Sequence, residues 1–153
     1  MERIKRIQIR GILTNGFPMV IGIGIDIIQN ERIRGSIERF GGRFLNRIYT
    51  ENEIAYCNGC ADPVIHFAAR FAAKEAAFKA LGTGWAGGVK WKDVEVKRLA
   101  SGKPELHLYG EAFERATALG ATRFHVSLTH DQLVSCAVVV FDAASPSASK
   151  PVT

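Results

Sequence analysis

What this 153-residue chain lacks narrows its possible roles before any motif is considered. No apolar run reaches the roughly 20 residues that a membrane-crossing helix requires. The longest apolar stretches, residues 20–28 and 133–141, have strand length. Three cysteines, Cys57, Cys60 and Cys136, are an odd number and make no disulfide framework, so a reducing cytoplasm is expected. The basic opening Met1–Arg10 is followed by no long apolar core with a small-residue cleavage site, so no secretory signal is expected. Ser127 and His130 lack a Gly-x-Ser-x-Gly elbow, which argues against a hydrolase triad. There is no internal repeat.

What is present describes one ordinary globular domain. Hydrophobic residues make up 47% and charged residues 23%, enough for a core and a soluble surface. A net charge of +5 calls for an acidic partner or a phosphate-rich ligand, without distinguishing them. Residues 1–18 carry no core-forming pattern and end on an Asn15-Gly16-Phe17-Pro18 breaker, so they read as a mobile extension, with Met19 a candidate start. Residues 143–153, rich in Ala, Ser and Pro, read as a disordered tail. The domain between them, residues 19–142, opens with a strand at 20–28. A short helix is expected over Asn30–Phe40 with Asn30 as N-cap, and another opens at the capping box Thr50–Glu53. Asp62-Pro63 starts a long helix that Gly82-Thr83-Gly84 stops after Leu81. Strands at 91–99 and 104–109 flank a turn, a helix covers 111–119, and strands at 123–129 and 133–141 meet at a tight turn. This order predicts an α+β fold: a mainly antiparallel sheet packed on one long and several short helices.

Two carboxylates stand where carboxylates are costly. Strand alternation puts Asp26 on the same face as Gly22 and Gly24, where missing side chains would let a ligand approach the backbone. Gly22-Ile23-Gly24 is no dinucleotide fingerprint, because the third glycine position holds Ile27. In the long helix, Glu75 lies between Phe71 and Phe78 on the apolar stripe, a position that demands a counter-charge or a metal. Arg70 and Lys74 border that stripe, and Lys79 is one turn beyond Glu75, where a simple salt bridge would also fit. Two acids beside lysines and arginines suit Mg²⁺ and a polyphosphate, since magnesium takes one or two carboxylates and keeps water and phosphate oxygens.

Other signals carry less. Cys57-Asn58-Gly59-Cys60 lacks the four ligands of a structural zinc site and the βαβ setting of a redox motif, and is read as a pair of free thiols in a loop. His66, His107 and His125 are read as structural, and Trp85 and Trp91 as packing residues. A basic nucleic-acid-binding module would fit the net charge, but the acid among Phe67, Phe71 and Phe78 would repel a phosphate backbone. A metal-dependent nucleotide or coenzyme A hydrolase would use the same acids, and spacing does not separate it from a transferase.

The motifs together are more specific. Ile21-Gly-Ile-Gly-Ile-Asp-Ile27, Arg70-Phe-Ala-Ala-Lys-Glu-Ala76 with Lys79, Gly82-Thr-Gly84, Gly102-Lys-Pro104 and Val126-Ser-Leu-Thr-His130 occur in that order. In content and spacing they resemble the holo-[acyl-carrier-protein] synthase family of 4′-phosphopantetheinyl transferases, over about residues 19–141. The resemblance implies transfer of 4′-phosphopantetheine from coenzyme A to a serine of an acyl carrier protein, releasing 3′,5′-ADP, in fatty acid biosynthesis. It implies Asp26 and Glu75 as Mg²⁺ ligands and Lys79 as the group that stabilises the leaving phosphate. Arg70, Lys74, Lys79, Gly82, Thr83, Gly84, Thr129 and His130 would hold the coenzyme, the last two across a subunit boundary of a homotrimer. Arg32 and Arg43 would dock the acidic carrier. The proton acceptor stays open between a metal-bound water and a carboxylate. Neither membrane nor nucleic acid is an expected partner.

Overall fold

The computed structural model describes residues 19–84 and 87–143. The expected extension at 1–18, Trp85 and residues 144–153 of the expected tail lie outside them.

The fold is α+β, as the element order predicts. Strand β1 (Met19–Gln29) leads into three short helices, α1 (Asn30–Phe40), α2 (Gly42–Ile48) and α3 (Glu51–Asn58), and then the long α4 (Pro63–Ala80). A single 3₁₀ turn, Trp91–Asp93, precedes β2 (Val94–Arg98) and β3 (Pro104–Leu108). Helix α5 (Gly110–Ala118) and the hairpin β4 (Arg123–His130) and β5 (Val134–Ala143) complete the chain. β1, β5 and β4 form one antiparallel sheet in that order, so β1 and β4 are its two edges, while β2 and β3 form a separate hairpin.

Alternation along β5 decides where the core sits. Ser135, Ala137, Val139 and Phe141 are buried, and α4 lies across the face they share with Gly24 and Ile28 of β1. Ala68, Ala72, Ala73, Ala76 and Ala77 give α4 a thin surface and so allow a close approach. The approach is closest at β1. A methyl group added at Gly22 would overlap the carbonyl oxygen of Ala80, and one at Gly24 that of Ala76. The space beside these glycines therefore belongs to α4. The expectation that a ligand approaches the backbone there is corrected: the glycines admit the helix.

Caps explain the boundaries. Thr50 and Glu53 form the expected capping box, and Asp62 accepts the Val64 N–H at 3.1 Å with Pro63 in the first turn. Asn30 is not the N-cap. Gln29 takes that place without a side-chain bond, while Asn30 donates to the Asp131 carbonyl at 2.9 Å and accepts from Ser135 Oγ at 2.7 Å. It thus fastens α1 to the β4–β5 turn, where Asp131 Oδ1 accepts the Leu133 and Val134 N–H groups. β5 continues to Ala143, opposite Met19, one residue into the segment expected to be tail.

Candidate active site

Three of the expected residues converge where α4 crosses β1. Asp26 occupies the β1 position opposite Ala137, on the α4-facing side of the strand. Lys79 donates to Asp26 Oδ1 at 2.8 Å and to the Ile25 carbonyl, also at 2.8 Å. One turn earlier on α4, Glu75 is half-buried. Burial raises its carboxyl above the usual 4.5, the negative charge of Asp26 raises it further, and Lys79 opposes both. Lys79 thus pairs with the strand acid and not, as the helical spacing also allowed, with Glu75 alone. The two carboxylates are close enough to repel and share one ammonium, a charge excess that a divalent cation would relieve. Among the described residues no group of three His, Cys, Asp or Glu side chains is arranged to hold a metal. A cation here would take two carboxylates and complete its shell from water and phosphate, which suits magnesium.

Gly82, Thr83 and Gly84 follow directly. Gly82 and Gly84 have φ of 73° and 56°, a left-handed backbone that glycine adopts without strain. Thr83 Oγ1 donates to the Gly84 carbonyl at 3.1 Å. The turn leaves α4 just beyond Lys79.

Arg70 and His130 meet elsewhere, on the β4 side of α4. With Tyr56, His66, Lys97, Arg98, Gly102, Pro104, Leu128 and Ala69 they line a cavity of about 310 Å³. Arg70 is 4% exposed, its guanidinium lies over the Tyr56 ring at 4.1 Å, and its Nε is buried without a hydrogen-bond partner. His66 packs edge-on against His130 at 5.3 Å. Its imidazole is held below the ordinary 6.5 by burial first, then by His130 and Arg70. Arg70, Lys97 and Arg98 give this cavity positive charge, and an anion entering it could take the unpartnered Arg70 N–H. His66, read as structural, lines this cavity. Tyr56, Lys97 and Arg98 were missed, although the Gly102-Lys103-Pro104 signal marks the same hairpin. Thr129 lines a smaller cavity of about 140 Å³ beside His130.

Lys74 joins neither group. Its side chain is fully buried and pairs with Glu53 at 2.9 Å, and its ammonium also donates to the Trp91 and Val94 carbonyls. The expectation that Lys74 holds coenzyme is corrected. Buried among acceptors from α3 and β2, it has no donor left to offer a ligand.

Arg32 on α1 and Arg43 on α2 are exposed. Arg43 and Arg47 flank Phe40 and Phe44 around a cleft of about 330 Å³. Sequence reading missed α2 and with it this apolar floor. Of the other histidines read as structural, His107 lies 2.7 Å from Glu105 and His125 3.0 Å from Asp142. Trp91 packs on Phe71 and Phe78.

Comparison with known proteins adds independent findings. Residues 22–137 match the model of the 4′-phosphopantetheinyl transferase superfamily. A holo-[acyl-carrier-protein] synthase of Koribacter versatilis is 51% identical, over 81% of this chain and 99% of its own. A Neisseria meningitidis holo-[acyl-carrier-protein] synthase structure is similar with a TM-score of 0.72 at 37% identity, covering 80% of this chain and 98% of its own. The Bacillus anthracis holo-(acyl-carrier-protein) synthase, solved in complex with CoA (3′,5′-ADP), gives 0.68 at 35% identity over 82% and 99%. The order of motifs, the fold and these likenesses agree, and they favour a transferase over a hydrolase or a nucleic-acid module. This chain belongs to the holo-[acyl-carrier-protein] synthase family, within the 4′-phosphopantetheinyl transferase superfamily.

Proposed function

We propose that residues 19–142 transfer 4′-phosphopantetheine from coenzyme A to a serine of an apo-acyl carrier protein in a Mg²⁺-dependent reaction that releases 3′,5′-ADP. The observation that carries this reading is the group of Asp26, Glu75 and Lys79 at the crossing of β1 and α4. Mg²⁺ held by Asp26 and Glu75 would neutralise the diphosphate. Lys79, half-exposed and 2.8 Å from Asp26, stands ready to exchange that partner for a phosphate oxygen. In the reaction the serine oxygen bonds to the phosphorus bearing pantetheine, and that phosphorus loses the oxygen bridging to the nucleotide. Negative charge grows on that leaving oxygen, where a lysine lowers the barrier. Gly82, Thr83 and Gly84 supply the bend that lets phosphate approach the end of α4.

Two further parts of the reading rest on placement. Arg70 and His130 sit by the β4 edge, while Asp26 sits on the β1 edge. A coenzyme reaching both kinds of residue is served by an edge of each of two subunits. The exposed isoleucines Ile23 (66%), Ile25 (60%) and Ile27 (65%) give copies of this chain an apolar surface to bury. A homotrimer, as the family resemblance implies, meets both needs. Arg32, Arg43 and Arg47 offer an acidic carrier its counter-charges, with the cleft over Phe40 and Phe44 for an apolar side chain. No described helix is long and apolar enough to cross a membrane, and a cytoplasmic site of action completes the proposal.

The test incubates the protein with coenzyme A, Mg²⁺ and apo-carrier and weighs the carrier by mass spectrometry. Wild-type protein adds one phosphopantetheine, and chelation of Mg²⁺ stops it. Asp26→Asn and Glu75→Gln each remove the gain while the circular dichroism spectrum stays unchanged. A carrier that keeps its apo mass with wild-type protein defeats the proposal, and near-normal turnover in either variant defeats the metal assignment.

A further inference from the structure

The end of α3 holds two thiols that the transferase reading does not use. Cys57 lies in the last turn of the helix and is fully buried, whereas Cys60, two residues past its end, is partly exposed. The Cys60 N–H donates to the Cys57 carbonyl at 3.0 Å. Such a bond closes a four-residue turn, which keeps its first and last Cα atoms within about 7 Å. Disulfides span this range of Cα separation. Of the two thiols read as lying in a loop, Cys60 does, while Cys57 belongs to the helix.

Both thiols touch the framework of the Arg70 cavity. Cys60 Sγ donates to the Tyr56 carbonyl at 3.4 Å. The Tyr56 ring carries the Arg70 guanidinium and lines the cavity wall. Cys57 sits beside Arg70, which draws its thiol towards ionisation. Burial prevails and pushes the thiol up to about 12. Cys57 therefore rests as a neutral thiol, while Cys60 is the sulfur that solvent reaches.

We propose that Cys57 and Cys60 form a reversible intrachain disulfide that weakens coenzyme binding in the Arg70 cavity, an inference that rests on the proposed transferase function. The oxidant is a hydroperoxide. The Cys60 sulfur attacks its terminal oxygen, giving a sulfenic acid and, from hydrogen peroxide, one water. The Cys57 sulfur then attacks the Cys60 sulfur, the S–S bond forms and the sulfenic oxygen leaves as a second water. Two thiols lose two electrons and two protons, and the peroxide takes up both. Drawing Cys57 towards Cys60 removes it from beside Arg70 and takes the Cys60 S–H from the Tyr56 carbonyl. The Tyr56–Arg70 pair loses support on both sides.

The experiment uses the full chain with Cys136→Ser, so that no third thiol competes. After treatment with hydrogen peroxide, intact mass falls by two hydrogens and dithiothreitol restores it. The KM for coenzyme A rises about fivefold in the oxidised protein, a coupling at the low end of the usual range, and returns on reduction. Adding Cys60→Ser abolishes both changes and leaves reduced activity intact. The inference is overturned if peroxide leaves the mass two hydrogens short in no molecule, or if the disulfide forms and the KM for coenzyme A stays the same. Transfer by the reduced protein reports separately on the function. If it is absent while the disulfide forms, the transferase reading fails and the thiol chemistry stands.

Discussion

Lys74 and Lys79 occupy the same helix, five residues apart along α4 and so on different faces, and they do opposite work. Lys74 is fully buried and every contact it makes is internal: Glu53 of α3 and the carbonyls of Trp91 and Val94. Lys79 is about half exposed and holds Asp26 at the surface of the molecule. The first lysine ties α3 and β2 to α4 and so fixes the platform. The second leaves a charge available on it. A buried pair of this kind gains much of its apparent value from the cost of breaking it, whereas an exposed pair contributes little to stability and is free to serve chemistry.

The comparison can be broken most sharply at Lys74. Lys74→Met leaves Glu53 buried without its counter-charge and is expected to cost about 3–5 kcal/mol in urea unfolding. Pairing it with Glu53→Gln returns part of that loss. A double variant no more stable than Lys74→Met would show that the ion pair is not the cause. Next comes Lys79→Ala, expected to lower kcat about 100-fold or more. It should shift stability by less than about 1 kcal/mol. Equal damage to stability from both lysines would remove the distinction.

A smaller effect distinguishes the site from the platform by sign. The Glu75 carboxyl is raised by burial and by Asp26, so the folded state resists its ionisation. The resulting penalty is absent well below the ordinary 4.5 and sets in as pH climbs above it. Glu75→Gln removes the ionising group, so its urea midpoint should exceed wild type at about pH 7 and match it at about pH 3. A variant less stable than wild type at neutral pH would count against a repulsive pair of acids. The smallest change concerns Arg43, exposed at the α2 cleft. Arg43→Glu should raise KM for the carrier about tenfold with KM for coenzyme A unchanged, and added salt should narrow the difference.

The contrast also marks how far the sequence could be read. Local signals carried well: Asp62-Pro63 starts α4, the capping box opens α3, alternating residues mark β1 and an apolar run marks β5. Asp26 stood out because a strand face with two glycines and an acid is unusual, and Glu75 because it interrupts an apolar stripe. What stayed hidden depends on tertiary placement. Nothing local shows that Lys74 turns inward, because its acceptor Glu53 lies on another helix, where the capping box already accounts for that acid. On sequence alone the glycines of β1 read as room for a ligand, whereas the backbone of α4 comes close enough to fill it. Helix α2 has seven residues and no side-chain cap, with Gly41 breaking the backbone before it at φ 54°. Its apolar residues are too few to show a period. The strand expected from residue 91 begins only at Val94, because residues 91–93 close a 3₁₀ turn in which Asp93 accepts the Lys90 N–H.

The fit of α4 against Gly22 and Gly24 also limits how this enzyme can be engineered. Replacing strand glycines by valine or threonine is a common way to strengthen a sheet, because branched residues suit a pleated backbone. Here the added carbons would collide with helix carbonyls, levering α4 and the acid it carries away from Asp26. Thermostabilising libraries should therefore leave both glycines fixed.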